Sequence, residues 1–295
     1  MKLANKLLVA TGAFVATSAQ AAVLISYPDF SSTAGLTFAG SATQSGNQLQ
    51  ITPANYSQAG AAYSTSAVTL GTNATFSTTF QFQFTNPGGV VGSPADGITF
   101  VLAASPTGLG AAGGSLGYGG VLNSVAIEFD TYDNTPYVND ANSSNHIAIL
   151  ENGNIGPTSD IDLVNAYNVP ACNFNPSTPN TAPGCMSNGD IWTATIGYDG
   201  ANLSVTVQDG ASPAFTVYSG VALDIASLIG STTAFVGFTG GTGSGFEQQN
   251  VLNWRLANDT SLGPGGTVPE PATLFLAGIG LAGLAATRRR SRQQR

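Results

Sequence analysis

Short segments in which every second residue is apolar run along the central part of the chain, and no segment shows the repeat of an amphipathic helix. Alternation with a period of two is typical of strands that bury one face. Glycine, proline and asparagine separate the segments, as turns between strands require. The pattern therefore predicts an all-β fold of two packed antiparallel sheets. The predicted strands are residues 75–84, 97–102, 192–198, 202–208, 234–239 and 251–256.

Two local signals complete this prediction. The pair Asp199-Gly200 stands between two alternating segments, which predicts a hairpin there. Residues 224–229 predict a single helical turn between strands.

The first residues differ in composition from the body of the chain. Lys2 and Lys6 precede an apolar run at 7–15, and Ala19-Gln20-Ala21 follows it. This order predicts a secretory signal peptide over residues 1–21. The mature protein is therefore expected to leave the cytoplasm.

A linker is predicted between the body and the tail. Residues 22–256 are long enough for one domain with a full core, and residues 257–267 carry glycine and polar residues that support neither a strand nor a core.

Residues 268–295 begin with Val-Pro-Glu-Pro, continue with an apolar run at 272–286 and end in five arginines. The run is shorter than a confident membrane span, and the arginines suit a cytoplasmic flank. A plain tail anchor stays open as an alternative to a sorting signal.

The order of Pro-Glu-Pro, apolar run and arginine cluster resembles the PEP-CTERM sorting signal of Gram-negative bacteria. The resemblance implies export, transient anchoring of the tail in the inner membrane and recognition by exosortase-type sorting machinery. The expected destination is the cell surface or the extracellular space.

Charge is distributed unevenly along the chain. The net charge is −8 at pH 7, yet Arg255 is the only lysine or arginine outside the two terminal segments. The mature body is therefore strongly anionic and repels phosphate backbones, which excludes nucleic acid as a partner. Its carboxylates are left with cations or water as partners.

Acidic residues cluster in one short region. Successive side chains of a strand point to opposite faces, so Val125, Ile127 and Phe129 can enter a core while Glu128 and Asp130 share the other face, with Tyr132 next on it. A bound cation would remove the repulsion between the two carboxylates. Mixed oxygen donors and one imidazole suit Ca²⁺ beside a transition ion such as Mn²⁺. The donors that follow are Asn134, Asp140 and the only histidine, His146.

For several of these residues a role without any ligand stays open at this point. A lone histidine beside asparagine and serine is often a polar surface residue, and Asp96 before Gly97 fits an ordinary turn. The remaining acids are interpreted as solvated turn positions. Examples are Asp160, Asp162, Asp190 and Asp209.

Four separate motifs resemble, in order and spacing, those of the legume-type (L-type) lectins. The resemblance covers essentially the whole mature body. It implies a concanavalin-like jelly-roll sandwich of antiparallel sheets, with a two-metal site beneath a shallow sugar pocket. The motifs are Ala-Asp-Gly-Ile-Thr-Phe at 95–100, Gly-Gly-Ser-Leu-Gly-Tyr at 113–118, Glu-Phe-Asp-Thr-Tyr at 128–132, and Val-Gly-Phe-Thr at 236–239 with Val-Leu-Asn-Trp at 251–254.

The resemblance also implies metal ligands. Asp133 and Asn139 stay open as alternatives to Asp140, because the segment after Asn134 is longer than in the plant proteins. The implied transition-metal ligands are Glu128, Asp130, Asp140 and His146. The implied calcium ligands are Asp130, the carbonyl of Tyr132, Asn134 and Asp140.

A sugar pocket is implied in the same way. A carboxylate acceptor beside an amide that both donates and accepts can bind adjacent sugar hydroxyls. The peptide between Ala95 and Asp96 is cis in the family, which implies a cis peptide here. Phe246 and Tyr137 are candidates either to stack on a sugar face or to pack in an apolar contact. The implied sugar-binding groups are the Asp96 carboxylate, the Gly114 N–H, the Asn134 amide, Ser244 and Gly245.

Cys172 and Cys185 are the only cysteines. In an exported protein they predict a disulfide that closes a surface loop, worth about 3 kcal/mol by chain entropy. Free thiols or a metal pair are the alternative, although the sequence offers no other soft ligand nearby.

Together these observations predict an exported, calcium- and transition-metal-dependent protein that binds glycans or exopolysaccharide and has no catalytic residues. Laminarinase-type glycoside hydrolases share the jelly roll but resemble a Glu-x-Asp-x-Glu strand, and Tyr132 stands here at the third position. A structural or adhesive matrix protein with a degenerate pocket is the main alternative. Lectins of this fold often dimerise through sheet edges, so a homo-oligomer is expected.

Overall fold

The computed structural model describes residues 22–89, 94–106, 108–134, 144–156 and 184–260. Within these ranges fifteen strands and one helical turn, α1 (Ile225–Ile229), make up the regular secondary structure apart from short 3₁₀ turns. The strands are β1 (Val23–Tyr27), β2 (Leu36–Gly40), β3 (Thr43–Ser45), β4 (Gln48–Thr52), β5 (Ala59–Ser64), β6 (Val68–Thr69), β7 (Phe76–Gly89), β8 (Gly97–Ala103), β9 (Ser124–Asp130), β10 (His146–Glu151), β11 (Trp192–Tyr198), β12 (Asn202–Asp209), β13 (Phe215–Ala222), β14 (Thr233–Gly241) and β15 (Gly245–Ala257).

The strands form two antiparallel sheets, which confirms the predicted fold class. One sheet has the order β13-β12-β11-β7-β15-β4-β3, with β1 also paired to β15. The other has the order β10-β9-β8-β14-β5-β2, with β6 also paired to β14. The predicted hairpin is present, since β11 and β12 pair from Tyr198↔Leu203 outward. The predicted helical turn is α1, and the Asp224 side chain caps it by accepting the Ser227 N–H.

The predicted strands agree with the observed ones in position but are shorter at two places. β7 continues to Gly89, and β15 begins at Gly245. The alternation does not reveal the first half of β15, because its buried positions carry the polar residues Glu247 and Gln249. Apolar alternation detects only those strands whose inward side chains are apolar.

The space between the sheets is filled mainly by aromatic and branched apolar side chains. Phe80 lies near its centre, with its ring centroid 4.9 Å from that of Phe238, 5.6 Å from that of Phe129 and 5.9 Å from that of Phe100. The rings of Phe238 and Phe129 lie edge-to-face on Phe80 and that of Phe100 is stacked on it, and such packing adds to the free energy gained by burying the rings. The predicted inward residues of β9, which are Val125, Ile127 and Phe129, are all fully buried in this core.

A second, smaller apolar cluster covers the other face of the β10-β9-β8-β14-β5-β2 sheet. Tyr118, from the loop between β8 and β9, packs there with Val101 and Ala126. Its hydroxyl lies 2.9 Å from Ser124 Oγ, and burial raises the pKa of Tyr118 to about 12. The loop is thereby held against the sheet, and its glycine-rich part reaches the end of β14, where Gly113 N–H donates to Thr242 O over 2.9 Å.

One acidic residue departs from the predicted solvated turn. Asp209 is buried, and its Oδ2 accepts the Gly184 N–H over 2.7 Å. The carboxylate therefore anchors a loop, a contact between residues that the sequence pattern does not relate.

Several predictions fall outside the described residues. These include the signal peptide, most of the linker, the tail, Asp140, Tyr137 and Cys172. Cys185 is buried, and its predicted disulfide with Cys172 stays a prediction. Among the described residues no helix is long and apolar enough to cross a membrane.

We expect Phe80→Ala to lower the free energy of unfolding by about 3–5 kcal/mol, because it leaves a cavity in the aromatic core. Equilibrium urea denaturation followed by tryptophan fluorescence measures this change. Leu122→Ala is the matched control, since Leu122 is 65% exposed, and its effect should stay within about 0.5 kcal/mol. Similar losses in the two variants would contradict the assigned core.

Candidate functional site

Two carboxylates and an imidazole meet at one end of β9. β9 lies between β8 and β10, and its register places Asp130 opposite His146 and Glu128 opposite Ala148. Glu128, Asp130 and His146 are only 4%, 3% and 1% exposed. His146 Nε2 lies 3.3 Å from Glu128 Oε1, and one ligand atom from each of the three residues lies within 4.8 Å of the others. The structure thus brings together three of the residues predicted to bind metal.

The charge around this cluster suits a cation. Burying carboxylates costs free energy unless positive charge or hydrogen bonds compensate. Between residues 22 and 267 the sequence holds one lysine or arginine, Arg255, and it lies on β15 in the other sheet, paired with Thr79. Donors around one ion lie about 2.0–2.5 Å from it, so the spacing of Glu128, Asp130 and His146 fits a shared divalent ion.

Asp96 is held by backbone groups from two distant segments. Its N–H donates to Gly241 O over 3.0 Å at the end of β14, and its carbonyl oxygen accepts the Thr131 N–H over 2.8 Å just after β9. The side chain is 3% exposed. The peptide between Ala95 and Asp96 is cis, as the resemblance implied.

The segment after β9 turns towards the glycine-rich loop. Tyr132 was expected to continue the strand, but β9 ends at Asp130, because Asp130 Oδ1 accepts the Tyr132 N–H over 2.6 Å and forms a local turn. The Asn134 side chain lies directly on Gly114. A Cβ atom on Gly114 would be 2.5 Å from Asn134 Oδ1, so glycine is needed for this approach.

The loop between β14 and β15, residues 242–244, is called the fourth loop, and it reaches Asp96 through a residue that was not predicted. A Cβ atom on Gly243 would lie 3.4 Å from Asp96 Oδ2 and 3.3 Å from Gly113 Cα. The predicted residues Ser244 and Gly245 follow it and contact Gly89, with which Gly245 pairs in the sheet. Gly243 is thus the fourth-loop residue that faces both the Asp96 carboxylate and the glycine-rich loop.

Glu247 is a second residue near Asp96 that was not predicted from the sequence. It is fully buried on β15, and its Oε1 accepts the Thr131 hydroxyl over 2.8 Å. The same hydroxyl lies 3.2 Å from Asp96 O. Burial raises the pKa of the Glu247 carboxyl well above its usual value, and the negative charge of Asp96 raises it further. No sequence pattern indicates Glu247, because the alternation does not reveal the half of β15 that carries it.

A sequence model of the legume lectin beta-barrel domain matches residues 28–254. The chain belongs to the legume lectin family. A PEP-CTERM protein-sorting motif matches residues 267–290, which indicates export and sorting in Gram-negative bacteria and implies exosortase processing. Both resemblances drawn from the sequence are therefore confirmed.

Individual relatives of this legume lectin domain share less than a third of their residues with it. An L-type lectin-domain containing receptor kinase VIII.1 from Arabidopsis thaliana is 29% identical over 239 residues, which cover 77% of this chain but only 28% of the kinase. A 2-acetamido-2-deoxy-D-galactose-binding seed lectin 2 from Cytisus scoparius is 26% identical over 71% of this chain and 84% of its own length. The solved structure of a Bauhinia forficata lectin in complex with GalNAc is 25% identical, with a TM-score of 0.62 over 81% of this chain and 98% of that one.

The structural similarity confirms the predicted jelly-roll sandwich. The matched seed lectin and the solved neighbours belong to a non-enzymatic class of proteins, in agreement with the prediction that the chain has no catalytic residues. The fold and the relatives together support carbohydrate binding.

We expect Glu247→Gln to change how stability depends on pH. In the unfolded chain a glutamate ionises near pH 4.3, whereas the folded protein keeps Glu247 protonated to higher pH. Between these two pKa values the folded state holds more protons, so the free energy of unfolding of the unsubstituted protein falls as pH rises. The glutamine variant lacks this contribution and should gain stability relative to the unsubstituted protein as pH rises above about 4.3 in urea denaturation. Parallel pH profiles would contradict a buried, protonated Glu247.

Proposed function

We propose that this chain is an exported lectin that binds glycans in the pocket formed by Asp96, Gly114 and Asn134. The observation that supports this most directly is the approach of these groups from three separate loops beside the buried acidic cluster. The Asp96 carboxylate would accept hydrogen bonds from sugar hydroxyls, while the Asn134 amide and the Gly114 N–H would supply donors. Ser244 and Gly245 would lie at the margin of this pocket.

The proposal includes two metal ions. Glu128, Asp130 and His146, with Asp140, would hold a transition ion such as Mn²⁺, and Asp130, the Tyr132 carbonyl, Asn134 and Asp140 would hold Ca²⁺. The buried donors Glu128, Asp130 and His146 fit the transition-ion part of this assignment in type and spacing. The ions would supply positive charge to the buried carboxylates and fix the loop that carries Asn134. A fixed amide loses less entropy when a weakly held sugar binds.

The relatives suggest which sugars to test first. The Cytisus scoparius lectin and the Bauhinia forficata complex both name N-acetylgalactosamine as the sugar bound. N-acetylgalactosamine and galactose are therefore the first monosaccharide probes. The biological ligand we propose is an exopolysaccharide of the producing cell or a glycan on another cell, met at the cell surface or outside it after exosortase processing of the tail.

We expect Asp96→Ala and Asn134→Ala each to reduce binding on a glycan array by at least about tenfold, because a buried charged or amide partner of the sugar is lost. Glu151→Ala is the matched control. Glu151 ends β10 at the opposite end from His146, so its removal should leave glycan binding unchanged. Retained binding in both pocket variants would overturn the proposed site.

Metal removal gives an independent test. We expect EDTA treatment to abolish glycan binding and lower the thermal unfolding midpoint, and we expect Ca²⁺ together with Mn²⁺ to restore both. His146→Ala should lower the bound Mn²⁺ in elemental analysis while the protein stays folded, because one of the buried transition-metal donors is gone. A purified protein that is metal-free and unaffected by chelators would contradict the metal assignment.

The same array distinguishes the alternative of a structural or adhesive matrix protein. Bound metal without any glycan signal would favour a scaffold with a degenerate pocket. Calcium-dependent signals that Asp96→Ala removes would favour the lectin.

A further inference from the structure

An exposed aromatic side chain lies beside the pocket on a loop that the four lectin motifs do not include. Tyr56 belongs to the loop between β4 and β5 and is 50% exposed. Its ring packs edge-to-face on Phe246, with centroids 4.9 Å apart and planes at 86°. The Phe246 ring lies in turn on the backbone of Gly88, since a Cβ atom there would be 2.6 Å from Phe246 Cε2. Phe246 therefore supports Tyr56, and Tyr56 presents the accessible aromatic surface.

Hydrogen bonds connect this loop to the fourth loop of the pocket. Ser57 N–H donates to Gly243 O over 3.0 Å, and Gln58 N–H donates to Thr242 Oγ1 over 2.9 Å. The Thr242 hydroxyl donates to Asn55 O over 2.7 Å. Three bonds on residues flanking Tyr56 fix its backbone, so an incoming ligand does not have to order it.

The same contacts place Tyr56 close to Asp96. Gly243, which binds Ser57, also lies against the Asp96 carboxylate. These bonds and contacts lead from Tyr56 through Ser57 and Gly243 to the Asp96 carboxylate. Their lengths allow at most about 13 Å between Tyr56 Cα and that carboxylate. This separation suits sugars that are linked to each other, with one in the pocket and the next on the tyrosine.

We propose that Tyr56 is the platform of a second sugar-binding subsite, which accepts the C–H face of a pyranose linked to the sugar held by Asp96 and Asn134. The negative face of an aromatic ring attracts such C–H groups, and the tyrosine hydroxyl adds a hydrogen-bonding group at the water-exposed side. The ligand class is then an oligosaccharide or polysaccharide rather than a free monosaccharide. This inference rests on the proposed lectin function.

The test compares matched glycans on one array. N-acetylgalactosamine and galactose are printed beside di- and trisaccharides that end in the same sugars. We expect the unsubstituted full-length protein to prefer the longer glycans and Tyr56→Ala to lower their affinity by about fivefold to tenfold, with monosaccharide binding unchanged. Tyr56→Phe should keep most of the preference, because it retains the ring. Leu122→Ala, which removes another exposed apolar side chain, should change nothing.

The outcomes separate the two proposals. Absence of any glycan signal from the unsubstituted protein would overturn the lectin function. Equal affinity for monosaccharides and longer glycans, or a preference that survives in Tyr56→Ala, would overturn the subsite alone. A circular dichroism spectrum and an unfolding midpoint equal to those of the unsubstituted protein establish that Tyr56→Ala is folded.

Discussion

The antiparallel pairing of β9 with its two neighbours positions both the core and the acidic cluster. The inward side chains of β9 fill the space between the sheets, while Glu128 and Asp130 alternate with them on the other face. The pairing with β10 sets His146 beside Asp130. A slip of one residue would exchange the two faces and put the carboxylates into the apolar core. Hydrophobic burial on one face therefore determines where Glu128 and Asp130 stand on the other.

The pocket beside this cluster depends on bonds between loops that are far apart in the sequence. Asp96 is held by Gly241 and Thr131, and Gly113 is held by Thr242. No one of these segments sets the distance between the Asp96 carboxylate and the Asn134 amide by itself. Because sugar hydroxyls exchange bonds to water for bonds to protein, the net gain per bond is small. If the polar groups of a pocket are already in place, the free energy gained from these bonds is not offset by the entropy lost in ordering side chains and loops.

Charge gives the site a second constraint. The body of the protein holds one arginine and no lysine, so its buried carboxylates obtain little compensation from side-chain cations. Burial favours the protonated form of Glu247, which keeps a further negative charge away from Asp96. The Thr131 hydroxyl, which lies within hydrogen-bonding distance of both residues, links the position of Asp96 to the interior of the sandwich.

The sequence by itself was sufficient to determine the all-β class, the family, the cis peptide before Asp96 and the grouping of Glu128 with Asp130. The all-β class and the grouping follow from alternation within strands, whose geometry is local, whereas the family and the cis peptide follow from the resemblance that the contiguous motifs carry. Only the tertiary structure showed that Gly243 faces Asp96, that the Glu247 carboxylate accepts the Thr131 hydroxyl and that the loop carrying Tyr56 is bonded to Gly243. The reason is that each of these contacts joins residues more than a hundred positions apart. Strand order and loop packing bring such residues together, and no local pattern in the chain records that order.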